Sequence, residues 1–321
     1  MTSVTDRVRA FYRANPYPSY GEAIKQRHIA WYKKHCARPG RYLEAGCGTG
    51  HVMTGIAVNL PQHDYHAIDL SDASIAVARE VTQANGVEVQ FQQHNLMEPL
   101  PFDFCFDYIN CIGVIHHCES PERGLRHLSD KLCEDGVLFL HAYGEDYHRR
   151  RFQIVEMLDI LQGDKQDTEE RFALFEDYCA HHRRLERGGI LKRLYRLSAR
   201  DLLLPLIKAL GARRRQGHAD DVHTWYDELE QPALTSRWLD QFANPNDRAY
   251  NLRDFCALLD SAGLEPIDMI SVGRDRPEHV PPTWRAAVER LSGVERYRIM
   301  ELLNPSPTSP TVVARKKKTS T

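Results

Sequence analysis

The sequence predicts an α/β protein: a doubly wound, seven-stranded sheet interrupted by a helical lid insertion. Three observations carry that expectation. Residues Arg41 to His51 read as a strand running into a glycine turn and then a helix, with Gly46, Gly48 and Gly50 at alternate positions clearing side chains from the turn. Strand and helix patterns then alternate through residues 41–144, the signature of a parallel sheet. Beyond Gly144 the alternation stops, and roughly a hundred residues pass before the next sheet-like unit, far more than an ordinary helix-to-strand connection uses.

The elements follow in order. A second strand, Asp64 to Leu70, is short and apolar and reaches an acid, Asp69, near its tip. Val87 to Leu96 alternates as a third strand, and Phe106 to Ile112 forms a fourth that opens into the loop Gly113 to His117. Ser120 caps the next helix, Pro121 suits its first position, Leu125, Leu128 and Leu132 share a face, and Gly136 stands just beyond its end. Val137 to Leu140 is the fifth strand. The insertion, residues 145–250, shows helical spacing at Phe152, Val155, Leu158 and Leu161, then at Leu191, Leu194 and Tyr195 and through 202–210. Over 251–321 the core returns: Asn251 caps a helix with Leu252, Phe255, Leu258 and Leu259 on one face and Gly263 as its stop. Leu264 to Ser271 is a sixth strand, Trp284, Val288 and Leu291 mark an added helix, and Thr311 to Arg315 is the last strand. Lys316 to Lys318 then read as the solvated end of an edge strand. Residues 1–40 make an N-terminal helical and aromatic flap, stiffened by Pro16 and Pro18 within the run Phe11 to Tyr20.

Composition narrows the class. With 321 residues and 42% hydrophobic content the chain can bury a substantial core, and a formal charge of −2 gives no global field for nucleic acid. The 8 cysteines include no CxxC pair and no apolar leader precedes the N-terminal residues, so a reduced, cytoplasmic protein is the default expectation. No apolar run approaches the ~20 residues that span a bilayer. Hydrolase and phosphate-loop chemistries lack their signatures, since neither a Gly-x-Ser-x-Gly elbow nor a GxxxxGK[ST] loop is present. Cys111, His116, His117 and Cys118 have the residue types of a zinc site but not the spacing of a common one, so no metal is expected.

The turn itself separates the cofactor classes. A dinucleotide fingerprint is GxGxxG with a pyrophosphate on the helix N-terminus, whereas here GxGxG follows an acid, Glu44, which would repel phosphate and attract a cation. Glu44-Ala45-Gly46-Cys47-Gly48-Thr49-Gly50 resembles motif I of the class I, Rossmann-like S-adenosylmethionine (SAM) methyltransferases. The resemblance covers residues 41–143, with returning pieces near 251–272 and 311–315. It implies SAM as cofactor, held by Glu44, Gly46, Cys47, Gly48 and Gly50 at the turn and by Asp69 and Leu70 at the ribose. Asn95 and Leu96 stand at the adenine, where related enzymes usually carry Asp, and Cys111 and Val114 on the fourth strand and its loop complete the set. An amide oxygen keeps the acceptor capacity of the missing carboxylate.

Methyl transfer from a sulfonium is an in-line displacement, so the protein chiefly positions the nucleophile, and a base is required only where the acceptor must lose a proton. His116 and His117 lie on the loop expected there; each could equally cap a helix or line the cofactor pocket. Tyr12, Tyr17 and Tyr20 of the flap, with Tyr143, Arg248 and Tyr250, are the candidate substrate or lid residues, and for the segments carrying them plain surface packing is an equal alternative. A lid over the carboxyl ends of the strands would enclose a pocket, which favours a small-molecule acceptor. The basic stretch 183–215 suits RNA or a protein acceptor instead, and the plain alternative for it is a solvated helix pair neutralised by nearby acids. The fourth strand carries Asn110-Cys111-Ile112-Gly113 in place of the Asn-Pro-Pro-Tyr type of tetrapeptide found in many amino-methylating enzymes. A SAM-binding scaffold without catalysis is the alternative from a different class.

Overall fold

Seven strands form one sheet in the computed structural model, which describes residues 3–18, 26–163, 167–194, 235–269, 280–291, 293–303 and 309–318. In chain order they are β1 (Arg41–Ala45), β2 (Asp64–Asp69), β3 (Gln90–Gln93), β4 (Phe106–Ile112), β5 (Leu132–His141), β6 (Leu264–Met269) and β7 (Thr311–Lys316). Across the sheet the order is β3-β2-β1-β4-β5-β7-β6. The pairs from β3 to β5 are parallel, and β7 runs antiparallel to both of its neighbours. Chain order reverses between β1 and β4, and in such sheets ligands bind outside the carboxyl ends of the strands at that reversal.

Alternation along the central strands sends successive side chains to opposite faces. Leu43, Ile109, Leu138, Leu140, Val312 and Ala314 pack in one apolar cluster with Leu125, Leu128 and Phe255 from covering helices. Tyr42, Tyr108, Phe139 and Val313 enter a second with Trp31, Tyr32, Met53 and Ile75. Burying both faces is what such strands require, and it explains why they read as nearly continuous apolar runs. Polar caps set the helix starts: the side chains of Ser71, Ser120 and Asn251 accept from the backbone N–H groups of Ser74, Arg123 and Asp254. Each cap contributes about 1 kcal/mol by satisfying an otherwise orphaned donor.

Several expected boundaries move. The third strand is only Gln90–Gln93, because the residues before it are not paired with β2. The helix that opens at Pro121 ends at Asp130, not near Gly136, and Lys131 is its C-cap. Leu132 pairs with Phe106 at the start of β5, so sheet pairing overrides the helical spacing that joined it to Leu125 and Leu128. Helix Arg285–Glu289 is followed by a second, Gly293–Leu303, which the sequence reading did not separate.

The cysteine expectation also needs correction. Cys105 and Cys133 are disulfide-bonded across the starts of β4 and β5, while Cys36, Cys47, Cys111, Cys118, Cys179 and Cys256 are free. Among the described residues no helix is long and apolar enough to cross a membrane.

The chain divides into two units, residues 1–148 with 244–321 and residues 149–243. The second has its own core of Ile154, Leu158, Phe175, Cys179, Trp238 and Phe242. Arg151, fully buried there, donates to the carbonyl of Gln241, and Arg171 pairs with Asp159 at 2.8 Å. Of the basic stretch 183–215, the backbone of 183–194 continues the helix Thr168–Leu194; its side chains and residues 195–215 lie outside the described residues.

Candidate active site

The glycine turn follows β1 at the sheet's reversal point. Gly46, Gly48 and Gly50 have φ of +82°, +50° and +79°, in the left-handed region that favours glycine. At Gly48 a side chain is also excluded by contact: a Cβ there would lie 2.4 Å from the carbonyl oxygen of Tyr17. The N–H groups of Gly46 and Cys47 donate to the carbonyl of Ile68, fastening the turn to β2.

Glu44 is 3% exposed and lies directly opposite Asn110 in the β1–β4 register, so both side chains emerge on the same face. The Asn110 amide donates to both carboxylate oxygens, at 2.8 and 3.0 Å, and its own oxygen accepts from the Tyr32 hydroxyl at 3.0 Å. Burial pushes the Glu44 carboxyl up to about 8, against which the Asn110 hydrogen bond acts. A buried carboxyl facing a neutral amide suits a cationic partner.

Asp69 ends β2 with both oxygens engaged: Oδ2 accepts from Gly48 N–H at 2.8 Å and Oδ1 from Ser71 N–H at 2.8 Å. Burial raises its carboxyl above the usual range and these backbone donors oppose the rise. Each oxygen keeps a second lone pair for a hydroxyl. Leu70 follows, half-buried. Asn95 turns its side-chain oxygen onto Met97 N–H at 3.0 Å, and Leu96 is buried in the first core cluster. Cys47 and Cys111 are buried, with burial pushing both thiols up, and Val114 packs against Gly46. A carboxyl fit for a cation beside the turn and a second, backbone-fixed carboxyl at the next strand tip match the ammonium and ribose ends of SAM in residue type.

The flap meets the same turn. Helix Val4–Ala14 leads to Tyr17 and Pro18, whose carbonyls accept from Thr49 N–H at 3.2 Å and Thr49 Oγ1 at 2.5 Å. The Tyr12 carbonyl accepts from Ser71 Oγ at 3.2 Å, and its hydroxyl from the Asn244 amide at 2.9 Å. Tyr20 lies outside the described residues.

Beyond β4 the loop turns through a 3-10 segment, Ile115–His117, into a cluster of rings. His116 is 0% exposed, its ring 3.9 Å from that of Tyr143 and 4.1 Å from that of His117. Tyr143 in turn lies 4.3 Å from His148, and Tyr12 meets His117 edge-on at 6.0 Å. His117 Nδ1 stands 2.7 Å from Asp247 Oδ1 and 3.1 Å from the Asn246 carbonyl. Arg248, exposed, donates to the Glu119 carbonyl at 2.9 Å, and Tyr250 packs beside Phe255 with its hydroxyl pushed up to about 12 by burial. No group of three or more His, Cys, Asp or Glu arranged to hold a metal ion occurs among the described residues.

Asn110, Tyr32 and Asp247 were missed as site residues by the sequence reading. The first is findable from strand register, because Glu44 and Asn110 occupy equivalent places on neighbouring strands. Asp247 carries no such signal, being brought to His117 by chain that returns only after the insertion.

Comparison with known proteins bears on the domain and the fold. Residues 43–138 match a methyltransferase-domain family model. An uncharacterized Synechococcus protein is 29% identical over 95% of this chain and 70% of its own length. A ubiquinone biosynthesis O-methyltransferase of Azoarcus is 25% identical over 41% of this chain and 57% of its own length. The structure of PKMT2 from Rickettsia typhi superposes with a TM-score of 0.63 at 14% identity, covering 94% of this chain and 55% of that one, and it has also been solved with S-adenosylhomocysteine bound. The chain thus spans little more than half the length of the latter two proteins. Residues 43–138 therefore carry a methyltransferase domain, set within a seven-stranded sheet that shares the fold of PKMT2, and S-adenosylmethionine is the cofactor that such a domain implies.

Proposed function

We propose that the protein methylates an oxygen or nitrogen nucleophile of a small molecule. The observation that carries this reading is the cluster of His116, His117, Tyr143 and Asp247 at the carboxyl ends of β4 and β5, in the same unit as the glycine turn. Imidazole is suited to taking a proton near neutral pH. Two relatives over part of the chain are named O-methyltransferases, one acting in ubiquinone biosynthesis and one on malonyl-acyl-carrier protein.

On this reading Glu44 faces the ammonium, Asp69 accepts from the ribose hydroxyls, Asn95 and Leu96 border the adenine, and Cys47, Leu70, Cys111 and Val114 shape the walls. When bound, the cofactor supplies a methyl carbon made electrophilic by the sulfonium. The protein's residues fix the acceptor in line, exclude water through the flap bonded to Thr49, and receive any proton released. The test is incubation with radiolabelled SAM and fractionated cell extract. Label entering low-molecular-weight metabolites supports the reading. Label confined to RNA or protein overturns the small-molecule acceptor, and no label despite measurable SAM binding overturns catalysis.

A further inference from the structure

We infer that Tyr32 is a positioning residue for the cofactor acid: its hydroxyl fixes the Asn110 amide, the amide holds the Glu44 carboxyl, and Glu44 releases a proton to solvent as it takes a ligand ammonium. This rests on the reading above, in which Glu44 faces the ammonium. It adds a residue outside the matched stretch 43–138 and a proton count.

The relay is buried from end to end. Tyr32, Asn110 and Glu44 are 4%, 0% and 3% exposed. The Tyr32 hydroxyl donates to Asn110 Oδ1 at 3.0 Å, and Asn110 Nδ2 donates to Glu44 Oε1 and Oε2 at 2.8 and 3.0 Å. The helix Gln26–His35, which carries Tyr32, is held by two further sets of contacts. The rings of Trp31 and Tyr32 lie 4.9 and 4.8 Å from that of Phe139, and Lys34 and His35 both reach Asp268 Oδ2, at 2.6 and 2.8 Å. Glu44 stands two residues before Gly46, so the relay ends at the glycine turn.

The hydroxyl decides which way the amide points, because an amide has a donor end and an acceptor end. As placed, the donor end meets the carboxyl and the acceptor end meets the phenol. Reversed, the amide oxygen would face the carboxyl, and the phenol hydrogen would lose its acceptor among the described residues. Glu44 could then be satisfied only by keeping a proton to donate. Tyr32 thus disfavours the arrangement that suits the neutral acid, and a phenylalanine at this position would readmit it.

The proton count follows from burial. The phenols of Tyr32, Tyr42 and Tyr65 and the thiols of Cys47 and Cys111, which lie within reach of the Glu44 charge, are all pushed up by burial and carry none at neutral pH. Asp69, the other carboxyl at the turn, is occupied by the N–H groups of Gly48 and Ser71. Glu44 itself is raised to about 8, so near pH 7 it holds its proton until a cation arrives. A buried carboxyl attracts an ammonium strongly only when charged, and binding therefore draws the proton off. Affinity then rises with pH by about tenfold per unit and levels once Glu44 is already ionised.

Titration calorimetry of S-adenosylhomocysteine into the full-length protein, run in phosphate and in Tris, counts the protons. Close to one should be released per ligand at pH 7 by the wild type and none by Glu44→Gln. No release by the wild type, or equal release by both, overturns the inference. Wild-type affinity should tighten about tenfold between pH 6 and 7. In Tyr32→Phe the levelling should move up by about one pH unit, with binding at pH 7 about tenfold weaker. An unshifted profile overturns the relay, whatever the variant does to the melting temperature. One measurement needs no variant: in cofactor-free wild type, the side-chain amide ¹H–¹⁵N signals of Asn110 should titrate with a midpoint near 8. Signals that do not move would mean that the amide oxygen faces Glu44, which also overturns the relay. If the wild type binds no ligand, it is the cofactor reading that fails, and the amide signals still decide the relay.

Discussion

Replacing Glu44 with Gln should remove a pH dependence of stability that the cofactor-free wild type carries. The carboxyl is 3% exposed, its side-chain hydrogen bonds among the described residues come from the neutral amide of Asn110, and burial raises it from 4.5 to about 8. A carboxyl whose folded value lies above its unfolded one keeps a proton that the unfolded chain has released. Its contribution is therefore complete below about 4.5 and disappears as pH climbs through about 8. At about 1.4 kcal/mol per pH unit, that interval bounds the loss at about 5 kcal/mol. The neutral amide of Gln cannot titrate and can still accept one hydrogen bond from Asn110. Urea unfolding of both proteins at pH 5.5, 7 and 8.5 without cofactor measures the difference. The gap between wild type and Glu44→Gln should move by a few kcal/mol in favour of the variant as pH rises. Parallel pH profiles would refute the assignment of a protonated, buried Glu44.

Asp69→Ala should weaken SAM binding in calorimetry by about 1–3 kcal/mol, through loss of a carboxylate that also receives Gly48 and Ser71 N–H groups; wild-type affinity would remove Asp69 from the site. Gly48→Ala should destabilise the fold by about 1–3 kcal/mol in thermal melts, because its φ of +50° is strained for alanine and the new Cβ would meet the Tyr17 carbonyl. An unchanged melting temperature would mean the flap does not rest on the turn. Cys133→Ser should cost about 3–4 kcal/mol in oxidising buffer, from the entropy of a cross-link between positions 28 residues apart, and much less under reduction. Equal losses in both buffers would assign the effect to packing at Cys133.

Much of the sheet was legible because its signals are local. The turn at Gly46 to Gly50, the caps at Ser120 and Asn251, and the apolar strands around Leu43, Ile109 and Leu138 each declare themselves within a few residues. Leu132 misled for the same reason. Its spacing from Leu128 is helical, and only its pairing with Phe106 shows that it belongs to β5. The Cys105–Cys133 bond was equally out of reach, since spacing does not state pairing. At the site, Glu44 and Asp69 announced a cationic nucleoside ligand through charge at strand tips, whereas the partners that set their behaviour come from elsewhere. Tyr32 reaches Asn110 from a preceding helix, and Asp247 reaches His117 from across the insertion.

The placement of β7 bears on how the chain is made. Thr311–Lys316 fills the gap between β5 and β6, with Val312, Val313 and Ala314 fully enclosed. During synthesis β5 emerges long before its partner, so the nascent polypeptide carries two raw edges until ribosomal decoding passes residue 316. Folding of this half of the sheet accordingly waits on a long-range closure, which is slow and leaves the unpaired edges exposed to aggregation in the meantime.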